Sequence, residues 1–234
     1  MKNLNSIKKL TINKEKQEMN PFEKYNFIAV EGNIGAGKTS FCNRLAEDFN
    51  CQVILESFED NPFLQEFYRN PERYAFPVEL FFMTERHKQL QEGLLKPELF
   101  KKGTIADYFF LKTLLFAKNN LNDAEHRLFS RIFNVLNATF PKPDLLVYLH
   151  RSVENLQVNI EERGRAYEKD ISSEYLKQIQ NTYFEFFRTE MTIPIVIIDV
   201  EKADFLKNTA TYNKLLDLLS QDYKLGINYI TTNW

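Results

Sequence analysis

A glycine-rich segment near the start of the chain has the residue types and spacing of a phosphate-binding loop. The segment runs Gly32-Asn33-Ile34-Gly35-Ala36-Gly37-Lys38-Thr39-Ser40, and its first eight residues satisfy the pattern G-x-x-x-x-G-K-[ST]. The glycines allow consecutive backbone N–H groups to turn inward around phosphate oxygens at the start of a helix. Lys38 would neutralise the β- and γ-phosphates, and the Thr39 hydroxyl would bind Mg²⁺. The segment therefore predicts that the protein binds a nucleoside triphosphate and Mg²⁺.

Two carboxylates follow predicted strands on the same side of the expected sheet. Glu56 comes directly after the apolar residues 53–55, and Asp107 comes directly after residues 104–106. Ligands of open parallel sheets bind beyond the carboxyl ends of the strands, so both acids should face the phosphates. Either acid is a candidate second ligand of Mg²⁺ beside Thr39.

A pair of arginines lies in a later connection between two predicted helices. Arg163 and Arg165 flank a glycine and precede Glu168 by a few residues. Guanidinium groups at such a site can close over a phosphoryl group during its transfer. The D-x-x-G and N-K-x-D motifs of switch GTPases are absent, and the set of acids and arginines favours a small kinase.

The elements that must position these residues alternate along the chain. Short apolar stretches at residues 27–30, 53–55, 104–106, 145–149 and 195–198 alternate with helical patterns. This alternation predicts an α/β fold with a five-stranded parallel sheet flanked by helices. Asn70-Pro71 and Pro77 both have the composition of helix starts.

Composition limits the classes of function. The 234 residues carry 30 Lys and Arg against 32 Asp and Glu, which argues against a broad nucleic-acid surface. No apolar run reaches the roughly 18 residues of a membrane span. Residues 1–24 are polar and lysine-rich, without the apolar region of a secretory signal. We expect a mobile N-terminal extension over 1–24, a single domain over 25–234 and a cytoplasmic location.

Six longer segments occur in order along the chain: EGNIGAGKTS, LESFEDNPFLQEFY, PERYAFPVELFFMTERHKQ, IADYFFLKTLLFAKN, PKPDLLVYLH and ERGRAYEKDISSEYL. Together they resemble the deoxynucleoside kinases, most closely the bacterial deoxyguanosine and deoxyadenosine kinase branch. The resemblance implies a P-loop kinase with an arginine-bearing lid that phosphorylates a deoxynucleoside with ATP and Mg²⁺, as a homodimer. It implies that Glu56 is the general base for the substrate 5′-hydroxyl. Tyr68 and Glu168 would bind the 3′-hydroxyl, while Arg163 and Arg165 would bind phosphate.

This chain departs from the family pattern at two arginines. Four residues before Arg163, where the family often has an arginine, this chain has Asn159. Asp107 matches the acid of the family's Glu-Arg-Ser or Asp-Arg motif, but its neighbour here is Tyr108. The sequence identifies no replacement for either guanidinium group.

Residues on one face of a predicted helix bear on the choice of base. Glu79, Phe82 and Arg86 fall at i, i+3 and i+7, and Glu79 stands where the family has a Gln. An ionised carboxylate offers only acceptors, which suits the adjacent N1–H and N2–H₂ donors of guanine. Arg86 would anchor Glu79 or donate to guanine O6 and N7. We therefore expect deoxyguanosine to be preferred over deoxyadenosine. Deoxyadenosine would bind if Glu79 were protonated.

Two other functions stay open at this stage. A nucleoside monophosphate kinase similar to thymidylate kinase would share the P-loop, although it needs basic residues for the acceptor phosphate. A non-catalytic nucleotide-binding subunit would bind ATP without transferring a phosphoryl group.

Overall fold

The computed structural model describes residues 20–57, 61–96, 98–232 and 234. Its strands are β1 (Phe27–Glu31), β2 (Gln52–Ile54), β3 (Thr104–Ala106), β4 (Leu145–His150), β5 (Pro194–Asp199) and β6 (Gly226–Ile230). They form one sheet in the order β2-β3-β1-β4-β5-β6, and every neighbouring pair is parallel. The predicted α/β fold with a parallel sheet is confirmed.

Helices connect the strands. In the described part of the chain, the α-helices are α1 (Lys38–Phe49), α2 (Leu64–Arg69), α3 (Pro71–Leu94), α4 (Lys112–Asn120), α5 (Asp123–Asn137), α6 (Val153–Arg163), α7 (Ser173–Thr189) and α8 (Thr209–Leu219). Two short 3₁₀ helices cover Pro21–Glu23 and Ala166–Glu168. None of the helices in these ranges is both long and apolar enough to cross a membrane.

The sheet has six strands where the sequence predicts five. The additional strand, β6, lies at the edge of the sheet and pairs with β5. Apart from Gly226, its residues are half-buried or exposed. Its sequence, GINYI, therefore lacks the continuous apolar run that marks the central strands, so the hydrophobic pattern does not identify it.

Helix α3 is continuous across Pro77, although the sequence predicts a new helix start there. Proline lacks the backbone N–H that would bond to the preceding turn, so its place in the second turn removes one hydrogen bond. Buried side chains further along α3, including Val78, Met83 and Leu90, pack into the core. This packing compensates for the missing bond and keeps the helix in one piece.

Both faces of the sheet are covered by helices. On one face, α1, α6 and α8 pack against alternate strand residues such as Ile28 and Val147. On the other face, α3, α4 and α5 pack beside Ala29, and α7 packs against Tyr148. The side chains of β1, β3 and most of β4 are buried, as expected for central parallel strands.

The N-terminal segment is described only in part. Residues 1–19, on which most of the predicted extension falls, lie outside the described residues. The Asn20 side chain caps Pro21–Glu23 by accepting from the Phe22 N–H at 3.1 Å. The buried Phe22 ring packs against Phe49 with the ring centroids 6.3 Å apart. The chain is therefore attached to the core from Asn20 onward.

Candidate active site

The phosphate loop connects β1 to α1, where the sequence places it. Gly35 and Gly37 have φ angles of 83° and 91°, a left-handed conformation that favours glycine. A Cβ atom on Gly35 would lie 2.7 Å from the Leu156 carbonyl oxygen on α6. Any side chain at Gly35 would therefore be strained and would also displace α6.

Lys38 is bonded to the loop that it closes. Its Nζ donates to the carbonyl oxygens of Gly32 at 2.8 Å and Asn33 at 2.9 Å. Burial and, after it, the charge of Lys112 lower the pKa of Lys38 to about 8. The Asn33 side chain donates to the Leu176 carbonyl at 2.7 Å, so it ties the loop to α7 and leaves phosphate binding to the backbone.

Asp107 joins the phosphate loop to the end of β2. Its Oδ2 accepts from the Thr39 hydroxyl at 2.6 Å, and its Oδ1 accepts from the backbone N–H of Glu56 at 2.7 Å. Burial and the nearby charge of Glu56 raise the pKa of Asp107. Mg²⁺ prefers hard oxygen ligands, and the adjacent Thr39 and Asp107 oxygens fit such an ion.

Glu56 lies between two cations. Its Oε1 accepts from the guanidinium of Arg86, with Nε at 2.8 Å, and its Oε2 accepts from Lys112 Nζ at 2.5 Å. Burial alone would raise the pKa of Glu56, but Arg86 and Lys112 together hold this pKa well below its usual range. Glu56 is therefore a carboxylate at neutral pH.

Lys112 is a site residue that sequence reasoning missed. It begins α4, its side chain is buried, and its ammonium lies 5.4 Å from the centre of the Phe116 ring. The sequence identified no replacement for the family's guanidinium beside Asp107. The structure corrects this point, because Lys112 supplies a cation within hydrogen-bonding distance of Glu56. A lysine inside the apolar stretch FFLKTLLFA, shortly after a strand, was the available signal.

Tyr108 and Asn159 do not carry the charges of the family arginines. Tyr108 is fully buried, and its hydroxyl lies 3.3 Å from the Arg86 carbonyl oxygen, to which it donates. Asn159 donates from Nδ2 to the Gly35 carbonyl oxygen at 2.7 Å. One residue therefore fills the core, and the other links α6 to the phosphate loop.

The lid arginines face the predicted sugar-binding acid. Arg163 donates through Nε at 3.0 Å and through a terminal nitrogen at 2.6 Å to Oε2 of Glu168, which is buried. Arg165 contacts the other Glu168 oxygen at 3.5 Å. The three residues are therefore brought together, with both arginines in contact with Glu168.

The residues predicted to bind the nucleobase line a cavity beside the phosphate loop. Its wall includes Glu56, Tyr68, Glu79, Phe82, Arg86, Asp107, Lys112, Phe116, Glu168 and Tyr175. The Arg86 guanidinium lies 4.9 Å from the centre of the Phe82 ring. The rings of Tyr68 and Tyr175 pack edge to face with centroids 6.2 Å apart. The planar rings suit a nucleobase. The cations of the cavity, Arg86 and Lys112, both contact Glu56.

The structure changes the expected role of Arg86. The sequence suggests that Arg86 either anchors Glu79 or donates to guanine, whereas the hydrogen bonds of Arg86 in the structure go to Glu56 and to the Thr113 hydroxyl at 3.0 Å. Glu79 is instead bonded to Asn120, whose Nδ2 lies 2.6 Å from Oε1. Burial raises the pKa of Glu79 to about 7. Asn120 and Tyr175 are further members of the site that the motifs do not identify.

A larger cavity lies on the other side of the phosphate loop. It has a volume of about 710 Å³ and is lined by residues 35–40 of the loop, by Arg163 and Arg165, and by Arg151 and Phe205. Cations and an aromatic ring beside a phosphate loop suit a nucleoside triphosphate. The two cavities meet at the loop, where Lys38 and Thr39 border both.

The sequence matches a known protein family over most of its length. The model of the family described as deoxynucleoside kinase matches residues 28–222. The chain belongs to the deoxynucleoside kinase family. The resemblance of its motifs to this family is thereby confirmed, and the protein is a phosphotransferase acting on a nucleoside hydroxyl.

Individual members of the deoxynucleoside kinase family align over most of the chain. Deoxyguanosine kinase of Bacillus subtilis is 34% identical over 195 residues, covering 81% of this chain and 93% of that protein. Deoxyadenosine kinase of Dictyostelium discoideum is 32% identical over 178 residues, covering 74% of this chain and 71% of that protein. The structure of deoxyadenosine kinase from M. mycoides with bound dCTP superposes with a TM-score of 0.70 at 23% identity, covering 82% and 98%. That last similarity supports the fold.

Proposed function

We propose that the protein transfers the γ-phosphoryl group of ATP to the 5′-hydroxyl of a purine deoxynucleoside and prefers deoxyguanosine to deoxyadenosine. The observation that carries the proposal is the position of Glu56. This ionised carboxylate borders the aromatic cavity, and Asp107 links it to the phosphate loop. A base in this position lies between an acceptor in one cavity and a triphosphate in the other.

The proposed reaction needs one proton acceptor and several cations. The O5′–H bond breaks and its proton passes to Glu56, while O5′ bonds to the γ-phosphorus and the bond to the β-phosphate oxygen breaks to release ADP. A positioned general base typically raises the rate of such a reaction by roughly 10² to 10⁴-fold. Lys38, Lys112, Arg163 and Arg165 lie around the region where negative charge is transferred.

Mg²⁺ is proposed as the required metal ion. Thr39 and Asp107 would hold it, and the bound ion would neutralise charge on the triphosphate. The hydroxyl and carboxylate oxygens are 2.6 Å apart, so one ion can reach both after the hydroxyl proton turns away from Asp107.

Purine preference is supported by the relatives and by the chemistry of Glu79. The aligned relatives include kinases named for deoxyguanosine and deoxyadenosine. The ionised form of Glu79 complements guanine, and the protonated form complements adenine. We place deoxyguanosine first because Asn120 donates to Glu79, which favours the ionised form.

The decisive experiment supplies ATP, Mg²⁺ and each of the four deoxynucleosides and their monophosphates in turn. We expect turnover of deoxyguanosine, then of deoxyadenosine, and none of the monophosphates. Phosphorylation of monophosphates alone would support a monophosphate kinase, and ATP binding without turnover would support a non-catalytic subunit.

A variant of the proposed base refines the experiment. Glu56→Gln should reduce kcat by roughly 10² to 10⁴-fold and leave ATP binding nearly unchanged. Glu92→Gln, which changes an exposed acid on α3, is the matched control and should retain full activity. Equal activity of the two variants would exclude Glu56 as the base.

We further propose that the protein is a cytoplasmic homodimer. The family resemblance supports this assembly, as do Leu128 and Val135, which lie seven residues apart on α5 and are 51% and 73% exposed. Sedimentation velocity of the wild type and of Val135→Glu is the test. A wild type that sediments as a monomer would contradict the proposal.

A further inference from the structure

Asn120, the last residue of α4, holds a fixed orientation beside Glu79. Its Nδ2 donates to Glu79 Oε1 at 2.6 Å and to the Tyr175 hydroxyl oxygen at 3.1 Å. Its Oδ1 accepts from the amide of Asn119 at 3.3 Å. A reversed amide would bring two oxygens together at Glu79 and two nitrogens together at Asn119. The neighbours therefore require the donor of Asn120 to face Glu79.

Glu79 has a second carboxylate oxygen with spare hydrogen-bonding capacity. The residue is 1% exposed and lines the aromatic cavity. Within the described residues, its buried Oε2 has no hydrogen-bond partner. A buried acceptor without a donor is destabilising, so a ligand that supplies N–H groups here gains binding energy.

We propose that Asn120 is a specificity-determining positioning residue, which favours guanine over adenine by keeping Glu79 as a carboxylate acceptor. This inference rests on the proposed function and names the residue that sets its base preference. Asn120 does not line the cavity with Glu79. It acts through the acid, since its amide donates to one carboxylate oxygen of Glu79 and each carboxylate oxygen can accept more than one hydrogen bond.

Two protonation states of Glu79 select different bases. The carboxylate accepts from the adjacent N1–H and N2–H₂ groups of guanine. The protonated acid has one donor and one acceptor, which match N1 and the N6 amino group of adenine. Removal of the Asn120 amide leaves a buried acid with one fewer donor, so the protonated form becomes more populated.

Other charged and titratable groups around Glu79 also affect its equilibrium between the carboxylate and the protonated acid. They come from the end of β2, from α2, α3, α4 and α7, and comprise Glu56, Tyr68, Arg86, Lys112 and Tyr175. Arg86 and Lys112 favour the carboxylate, whereas burial and Glu56 oppose it and raise the pKa of Glu79 to about 7. Asn120 supplies a direct hydrogen bond in favour of the carboxylate.

The test measures kcat/KM for deoxyguanosine and for deoxyadenosine between pH 6 and 9. In the wild type, the ratio of the two values should rise with pH through about 7. In Asn120→Leu the rise should move to higher pH, and the ratio at pH 7 should fall about tenfold if the pKa of Glu79 increases by one. Asn120→Asp, which conserves size and places a second acid beside Glu79, should change the ratio in the same direction and carries the test if the Leu variant does not fold.

A second background separates positioning from packing. In Glu79→Gln the carboxamide does not titrate in this range, so adding Asn120→Leu should leave both the ratio and its pH dependence unchanged. The inference is overturned if Asn120→Leu and Asn120→Asp lower both kcat/KM values equally, or if the substitution changes the ratio by the same factor in the Glu79→Gln background. A wild type that phosphorylates neither purine nucleoside would overturn the proposed function first.

Discussion

The ammonium group of Lys112 lies 2.5 Å from Oε2 of Glu56. The two side chains come from the start of α4 and from the segment after β2, so the sheet brings them together from positions 56 residues apart. A cation in direct contact with the proposed base gives Lys112 two roles. It keeps Glu56 ionised, and we expect it to stabilise negative charge that develops during phosphoryl transfer.

Replacement of Lys112 should therefore reduce the rate of phosphoryl transfer. We expect Lys112→Met to lower kcat by roughly 10² to 10³-fold, the usual loss for one group that stabilises transition-state charge. Lys112→Arg should restore part of this rate, and the Kd for ATP should change little in both variants. Equal losses in Lys112→Met and Lys112→Arg would show that size matters here and charge does not.

The pH profile of Lys112→Met provides an independent check. Arg86 and Lys112 lower the pKa of Glu56, which must be ionised to accept a proton. Activity is lost as the pH falls through this pKa, so removing one cation should move the acid limb to higher pH. An acid limb at the wild-type position would contradict electrostatic contact between Lys112 and Glu56 during turnover.

Asp107 should affect the requirement for Mg²⁺. Asp107→Asn retains one oxygen and cannot accept from both Thr39 and the Glu56 backbone. We expect the Mg²⁺ concentration for half-maximal activity to rise by about tenfold or more. Asp144→Asn is the matched control, since Asp144 also accepts two hydrogen bonds, from the backbone N–H groups of Asn26 and Phe27 at the opposite end of β1. A purely structural Asp107 would lower Tm and leave the Mg²⁺ requirement unchanged.

Arg163 should influence nucleoside binding as well as phosphoryl transfer. It makes the shorter contacts with the buried Glu168, at 2.6 Å against 3.5 Å for Arg165. We expect Arg163→Ala to raise the KM for the deoxynucleoside several-fold more than Arg165→Ala does, because Glu168 loses its main partner. Steady-state kinetics at saturating ATP would measure this difference, and matching KM values would contradict it.

Glu79 should make stability depend on pH in a defined window. Burial raises its pKa from 4.5 to about 7, so the folded chain holds a proton that the unfolded chain releases between these values. The stabilisation is present below about pH 4.5 and is lost as the pH rises through 7, by up to about 3 kcal/mol. Glu79→Gln has no such group, so denaturant unfolding should show the variant gaining stability relative to the wild type from pH 5 to pH 8. A constant difference would contradict the buried, raised pKa.

Sequence alone predicted the elements whose signal is local. The phosphate loop, helix α1 and the buried strands are marked by spacing or by continuous apolar runs, and the structure contains them. Strand β6 carries no such run, because an edge strand in contact with solvent needs fewer apolar residues. The continuity of α3 across Pro77 depends on packing against other elements, which local composition does not describe.

The candidate site was predictable where motifs carry it and was missed where the fold creates it. Glu56, Asp107 and the lid arginines follow recognisable patterns, and they line the cavities on either side of the phosphate loop. Lys112 lies in a segment that resembles the family but has no role predicted from it, and Asn120 lies outside the quoted segments. Both residues contact partners far away along the chain. Their partners, Glu56 and Glu79, are 56 and 41 residues distant.

The bond between Asn159 and the Gly35 carbonyl limits how the lid can move. Helix α6 is attached to the phosphate loop near its end, and its Leu156 carbonyl also leaves no space for a side chain at Gly35. Rotation of the whole of α6 would therefore distort the phosphate loop. We therefore expect Arg165 to pivot beyond α6, at Gly164, whose φ of 69° ends the helix. Movement of the lid would then be confined to a short hinge, and the phosphate loop would keep its shape.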